Sequence, residues 1–375
     1  MKIGYMYGFE AYPPTAGNHR HAFELIQGFT RAGHKVRVVN DATMLGVKNF
    51  ITHELDAFLA DIDILYLRLD ARDLYQSLFA RAILRCTVPI VWEVNAPANE
   101  TLAYSWLGGR VDLKAESLSR SIRRWMHATR KYPSIWREEY VRKKLSKKTA
   151  AHICVTSALR SYAQLSLKSK NAILIPNGGS PLTLEFISEN SIANPKFTVL
   201  YTGSAIYPWQ GLPYINETAK LADRQKLDIE FLFCVRQTTD YLPKGPNIRI
   251  LEGLPHSEIL RHICRADVCL ALYPDYPWSK WGLHNSPMKL FEYFSCGAAT
   301  ITSNLGQMKE LFSDHRVTLL TSNTPEDILA QIIRLQTNPE LKSTLGTNAY
   351  GLVMEDMNWA EVTRKTLEVF DAVTS

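Results

Sequence analysis

The stretch Asn285-Ser286-Pro287-Met288-Lys289-Leu290-Phe291-Glu292-Tyr293-Phe294-Ser295-Cys296-Gly297 runs from a turn through a helix start and a carboxylate to a glycine stop. Pro287 suits the first turn of a helix, where its missing N–H costs nothing. Residues 286–290 are therefore expected to present free backbone donors at the positive end of the helix dipole. Such an end attracts an anion, and Ser286, Met288, Lys289 and Leu290 are the residues placed to meet it. Glu292 leaves the same helix roughly one turn further on, where a carboxylate can accept two hydrogen bonds from a vicinal diol such as a ribose. An anion site beside a diol site reads as a nucleotide site. The same residues also fit an amphipathic helix with Met288, Phe291 and Phe294 in the core and Lys289 and Glu292 in water. Pattern alone leaves both readings open.

Working outward, 375 residues are too many for one ordinary core and imply two domains. Hydrophobic residues make up 46% and charged ones 21%, the balance of a soluble globular chain. No apolar run is long enough for a membrane span, and a strand begins at once with Ile3, which leaves no room for a signal peptide. A cytoplasmic protein is expected. The six cysteines show no metal-ligand spacing and mostly sit within apolar patterns, so they read as buried thiols.

The net charge of +6 is uneven: residues 114–148 hold twelve Lys or Arg against Glu116, Glu138 and Glu139. With Trp125, Met126, Tyr132 and Trp136 interleaved, this segment fits an anionic membrane surface, a polyanionic acceptor, or simply a solvated pair of helices. A peripheral position on the inner face of the membrane is one consequence. No nucleic-acid recognition module surrounds the segment, so nucleic acid is not an expected partner.

Short β-rich runs alternate with helical patterns throughout. Strands are predicted at 3–7, 35–39, 62–66, 89–94, 152–156 and 172–175, then at 197–201, 229–234, 248–251, 268–272, 299–302 and 318–320, with a helix at 18–32. This α/β pattern, given twice, predicts two Rossmann-like domains with parallel sheets facing across a cleft. The predicted division is 1–178 plus a terminal helix at 358–375, then 196–357, joined by a turn-rich linker at 179–195. Parallel sheets bind ligands beyond the carboxyl ends of their strands. That draws attention to residues 8–21, to Glu93-Val94-Asn95-Ala96-Pro97, and to the Gly203–Gly211 loop.

Taken together, Ile175-Pro176-Asn177-Gly178-Gly179, the Gly203 to Gly211 segment, Gly253-Leu254-Pro255-His256-Ser257-Glu258-Ile259 with Arg265-Ala266-Asp267-Val268, and the helix around Glu292 resemble a retaining glycosyltransferase of family 4. The resemblance covers almost the whole chain. It implies the GT-B architecture, a nucleotide-sugar such as a UDP- or GDP-sugar held by the C-terminal domain, and a sugar or glycolipid acceptor held by the N-terminal one. It implies a hexosyl-type transferase of polysaccharide biosynthesis, with no metal and no cofactor. By position, Glu292 matches the family's ribose-binding glutamate. Met288, Lys289 and Leu290 match the backbone at the leaving diphosphate, Gly17 matches a glycine loop near the donor phosphates, and Gly203 and Leu254 lie in donor-side segments.

The departures from the family pattern are as informative. The glutamate that normally touches the transferred sugar is His284 here. The arginine and lysine clamp on the diphosphate falls on Ser204 and Gln210, so two positive charges are missing. Each such contact is worth about 1.5–3 kcal/mol, and a substitute cation is expected: Arg236 first, with Lys280 and Lys289 as the other candidates. The catalytic-region histidine falls on Asn95, which can donate to a sugar hydroxyl but cannot take a proton. Alternation along its strand would put Glu93 on the same side as Asn95, facing the cleft, unless it is a structural carboxylate capping a neighbour.

No pair of carboxylates at the spacing of a retaining glycosidase is evident. The resemblance implies front-face transfer, with electrostatic stabilisation of the leaving group. The rival from another class is a nucleotide-sugar-binding protein that has lost catalysis, because the changes at 204, 210, 284 and 95 all remove charged or proton-transferring groups.

Overall fold

The computed structural model describes residues 1–7, 17–40, 52–69, 78–103, 118–239 and 242–375. Residues 8–16, and with them most of the loop read above as a phosphate neighbour, lie outside the described residues. So does the start of the basic segment, 114–117.

The N-terminal domain runs β1 (Lys2–Tyr7), α1 (Gly17–Arg31), β2 (Lys35–Asn40), α2 (Thr52–Ala60), β3 (Ile64–Leu69), α3 (Leu78–Arg85) and β4 (Ile90–Val94). A single 3-10 turn, Ala98–Leu102, follows; then come α4 (Leu118–Thr129), α5 (Tyr132–Ser146), β5 (Ala151–Cys154), α6 (Ser157–Leu165) and β6 (Ala172–Leu174). Its six parallel strands are ordered β2-β1-β3-β4-β5-β6. β1 shows why both faces are covered. Ile3, Tyr5 and Tyr7 enter one buried cluster with Phe29 and Phe370, while Met6 enters the other with Phe58 and Leu67.

After α7 (Leu184–Asn190), the C-terminal domain contains β7 (Phe197–Gly203), α8 (Leu212–Arg224), β8 (Ile229–Val235), β9 (Ile248–Glu252), α9 (His256–Arg265) and β10 (Val268–Ala271). It continues with α10 (Met288–Ser295), β11 (Thr300–Ser303), α11 (Gly306–Phe312), β12 (Leu319–Thr321), α12 (Pro325–Thr337) and α13 (Pro339–Glu355). Its sheet order is β12-β11-β10-β7-β8-β9, the doubly wound order of a dinucleotide-binding fold. Connection direction reverses between β7 and β10 here, and between β1 and β3 in the first domain, so both crevices open at the carboxyl ends of those strands. All twelve predicted strands are present, displaced by at most a few residues.

The last helix, α14 (Trp359–Thr374), returns to the first domain, where Phe370 lies 5.3 Å from Phe29 and 5.7 Å from Tyr66, ring to ring. The two crossings between domains run side by side: Gly179 N–H donates to the Met357 carbonyl at 2.8 Å, and Trp359 N–H to the Gly179 carbonyl at 3.1 Å. A Cβ on Gly178 would come within 2.5 Å of the Asn358 backbone, so only glycine allows this approach. Apolar packing also joins the domains. Leu102, Ala128 and Ile135 from the first share one buried cluster with Tyr276, Trp278 and Leu283 from the second.

Candidate active site

α10 opens with Pro287 as its N-cap rather than inside the first turn, and Gly297 in the left-handed conformation (φ 67°) follows its end. The Leu290 N–H is spent on the Pro287 carbonyl at 3.0 Å, so the row of free donors expected at 286–290 is shorter than the sequence suggested. The amphipathic reading holds for the apolar face of this helix. Leu290, Phe291 and Phe294 are buried, while Met288, Lys289 and Glu292 keep part of their surface exposed. Ser286 is bridged from the end of the first domain, its carbonyl accepting from Asn177 Nδ2 at 3.1 Å and its hydroxyl oxygen from Asn177 N–H at 3.4 Å.

Lys289 is the cation the structure brings to this helix mouth. Its ammonium donates to Gln210 Oε1 at 2.6 Å and sits over the ring of Tyr201, 4.0 Å from the centroid. The Tyr201 hydroxyl in turn donates to the Ser204 carbonyl at 2.9 Å and reaches Gln210 Oε1 at 3.2 Å. Gly203 has φ 138°, and a Cβ there would lie 3.0 Å from Lys289 Nζ. The β7 loop thus folds tightly over the ammonium. Desolvation lowers the Lys289 pKa from 10.5 to about 7, with Glu292 pulling weakly the other way. Arg236, the first choice from sequence, stands exposed just past the end of β8. Lys289 rather than Arg236 lies at the helix mouth because residue 289, one step into α10, points across the sheet end at residue 210, a closeness that chain order conceals.

Glu292 is 30% exposed by side chain and bonded to His256 Nε2 at 2.5 Å. His256 is the first residue of α9, placed there by the turn at Gly253 (φ 67°); Leu254 of that turn packs partly buried against the core. Sequence reasoning did not pair His256 with Glu292, since the two are 36 residues apart and share no motif spacing.

In the first domain Glu93 lies beneath the cleft, only 1% exposed, and does not open onto it. It accepts from the Tyr66 hydroxyl and from Arg68 Nε at 3.0 Å, and His21 Nε2 stands 3.3 Å away. Burial raises the Glu93 pKa, the Arg68 guanidinium opposing, and burial lowers that of His21 well below its ordinary value. Asn95 follows β4 half-buried, and Gly17 is the first residue of α1. His284 is fully buried where the domains meet, its Nε2 3.7 Å from Glu100 Oε1 and its carbonyl accepting from Thr156 Oγ1 at 3.2 Å. Glu100 was not singled out from sequence, because its partner belongs to the other domain. A separate cavity of about 410 Å³, lined by Asp275, Asn304, Thr321 and Asn323, opens beside β11 and β12; Lys289 and Glu292 do not line it.

Residues 215–368 match the family model described as "Glycosyl transferase-like". No curated protein matches the chain in sequence. Among solved structures, sucrose-phosphate synthase from Thermosynechococcus elongatus aligns over 99% of this chain and 98% of its own, with TM-score 0.68 and 13% identity. HepE from Anabaena, solved in complex with UDP, aligns over 99% and 100% with TM-score 0.67 and 13% identity. WaaG, a glycosyltransferase involved in lipopolysaccharide biosynthesis, aligns over the full length of both chains with TM-score 0.62 and 14% identity. The architecture is therefore GT-B, two Rossmann-like domains carrying two six-stranded parallel sheets.

Proposed function

We propose that the chain is a glycosyltransferase that moves a sugar from a nucleotide-sugar to a glycan, lipid-linked or small-molecule acceptor, with retention of anomeric configuration and without a metal. The observation that carries the reading is the Lys289 ammonium, held at the start of α10 between Gln210, Gly203 and Tyr201. It is a cation beside a helix N-terminus, where a departing diphosphate needs charge. Glu292, one turn along the same face, is placed for ribose hydroxyls, with His256 orienting its carboxylate. HepE, similar in fold, has been solved with UDP and with UDP-glucose, which supports the choice of donor class.

In this reading the bond from the anomeric carbon to the diphosphate oxygen breaks and its electron pair stays on that oxygen. The acceptor hydroxyl forms the new bond on the same face and gives its proton to the departing oxygen. The chain's own work is electrostatic, through Lys289 and the α10 amides. Incubation with UDP- and GDP-sugars, with and without acceptor extracts, tests it by release of nucleoside diphosphate. Saturable binding without release on any extract would leave a binding protein in its place.

Membrane attachment belongs to the same proposal. Ile122, Trp125 and Met126 of α4 and Trp136 and Tyr140 of α5 are exposed, and no Asp or Glu interrupts residues 117–137. That combination fits an anionic lipid surface bearing the acceptor, approached from the cytoplasmic side. Among the described residues no helix is long and apolar enough to cross a membrane.

A further inference from the structure

We infer that the cavity beside β11 and β12 binds a neutral sugar unit, making it a carbohydrate site in the C-terminal domain apart from Lys289 and Glu292. The inference goes beyond the transferase reading and stands or falls without it.

The polar groups around the cavity divide into those spent on the protein and those left over. The first set is fixed in place. Asn323, buried in the left-handed conformation (φ 67°), donates from Nδ2 to the Tyr273 carbonyl at 2.8 Å and accepts from Ser303 Oγ at 2.7 Å. Thr321 Oγ1 and Ser322 Oγ both donate to Asp327 Oδ2, at 3.0 and 2.8 Å. The second set converges from separate elements: Tyr214 from the first turn of α8, Asp275 after β10, Asn304 after β11 and Glu326 from the first turn of α12. Among the described residues, the Tyr214 hydroxyl, the Asn304 side-chain amide and the Glu326 carboxylate make no hydrogen bond or ion pair to the protein. Asp275 accepts only the Tyr276 N–H, on Oδ1 at 2.7 Å. Burial, and after it the Asp275 charge, raise the Tyr214 pKa above its usual 10, which marks these two as neighbours.

These leftovers select the ligand. Among the described residues no Lys, Arg or His lines the cavity, whereas Asp275 and Glu326 do, so a phosphate or nucleotide is repelled. A metal ion is not served either, since no group of three or more His, Cys, Asp or Glu among the described residues is placed to hold one. What fits is a ligand with several donors, no negative charge, and an apolar face for the Tyr214 ring, Leu305 and Pro325. A sugar ring has both features. Its adjacent hydroxyls donate side by side to one carboxylate, and its C–H face packs on an aromatic ring. The volume of about 410 Å³ is that of a small-ligand site rather than of a water pocket. The position agrees, beyond the carboxyl ends of β10, β11 and β12, where parallel sheets bind ligands. Tyr273 joins the cavity to the donor side, its carbonyl held by Asn323 and its ring 5.9 Å from the Lys289 ammonium.

The test uses the whole chain, with saturation-transfer NMR and calorimetry. Glucose, galactose, mannose, N-acetylglucosamine, maltose and cellobiose are the probes, and glucosamine and calcium chloride are the controls. At least one neutral sugar should bind with a dissociation constant on the order of 1 mM, and saturating UDP should not displace it. Asp275→Ala and Glu326→Ala, both at exposed positions, should each weaken that sugar about tenfold with little change in thermal melting, and Tyr214→Phe about threefold. Binding that all three substitutions leave unchanged would place the sugar elsewhere, and displacement by UDP would place it in the donor cleft. Binding of calcium or glucosamine without any neutral sugar would make the cavity a cation site, and no binding at all would leave a solvent-filled crevice. Each of these results overturns the inference. A chain that binds a neutral sugar with this variant pattern but binds no nucleotide would refute the transferase reading and keep this one.

Discussion

Replacing Lys289 by methionine separates what the ammonium does for the fold from what it does for a ligand. Burial lowers its pKa from 10.5 in the unfolded chain to about 7 in the fold. A group held below its unfolded value penalises folding wherever the unfolded chain would carry the proton, so its cost is greatest below pH 7 and fades as pH rises toward 10.5. The full shift would correspond to about 1.36 kcal/mol per unit, but the side chain keeps some solvent contact, so a discounted gain of roughly 1–3 kcal/mol is expected for Lys289→Met at pH 7. A diphosphate has the opposite preference. One charge-assisted contact worth about 1.5–3 kcal/mol raises the bound-state pKa by roughly one to two units. Affinity should therefore be highest below pH 7, fall about five- to thirtyfold between pH 7 and 9, and level off near pH 10. Calorimetric titration of UDP or GDP at pH 7, 8 and 9, with thermal melts at pH 7, checks both halves. Lys289→Met should melt higher, bind at the weak plateau and lose the pH dependence. A variant that melts lower, or that keeps the wild-type slope in affinity, would refute the assignment of Lys289 as the diphosphate cation.

The remaining predictions are separable in the same way. Glu292→Ala should weaken nucleoside diphosphate binding by about 1.5–3 kcal/mol, and unchanged affinity by calorimetry would remove the ribose role. Gly203→Ala forces φ 138° on a side-chain residue and sets a methyl 3.0 Å from the Lys289 ammonium; a loss of about 1–3 kcal/mol in chemical denaturation is expected, together with weaker diphosphate binding. Glu93→Leu removes the buried carboxylate that accepts from Arg68 Nε and the Tyr66 hydroxyl, at a cost of about 3–5 kcal/mol in the same assay, whereas a neutral result would mean the network is dispensable. Neutralising Arg123, Arg124, Arg130 and Lys131 should reduce flotation with anionic liposomes and leave neutral ones unaffected; undiminished flotation would count against the lipid surface.

The strands were legible because parallel sheets bury both faces, and runs such as Ile64–Leu69 and Ile229–Val235 are apolar almost throughout. The helix at Met288–Ser295 was legible for a similar reason, since proline, periodicity and glycine mark its ends locally. What stayed hidden is whatever depends on two segments meeting. Lys289 reaches Gln210 across 79 residues, His256 reaches Glu292 across 36, and His284 faces Glu100 from another domain. No local period encodes those distances. Glu93 misled for a related reason: strand alternation gives the side on which a residue lies, but not that Tyr66, Arg68 and His21 already fill that side.

The same packing ties the proposed membrane face to the proposed donor site. On α4 and α5 the outward residues are Ile122, Trp125, Met126 and Trp136, while Ala128 and Ile135 turn inward. These inward residues share one buried cluster with Tyr276, Trp278 and Leu283, the segment that ends at His284. Among the described residues the polar contacts that bridge the cleft include Thr156 to His284, Asn177 to Ser286, Asn99 Nδ2 to the Trp278 carbonyl at 3.4 Å, Ser157 Oγ to Glu310, and Gln307 Nε2 to the Val155 carbonyl at 2.8 Å. At about 0.5–1.5 kcal/mol net each, they hold the cleft by only a few kcal/mol, an amount that one nucleotide-sugar touching both domains can match. The apolar cluster is the stiffer joint, because separating it would expose Trp278, Tyr276 and Leu283 together. Motion between the domains should therefore pivot on that cluster and on the Gly178–Asn358 crossing, opening the side that carries Lys289 and Glu292 while α4 and α5 keep their place beside the donor loop.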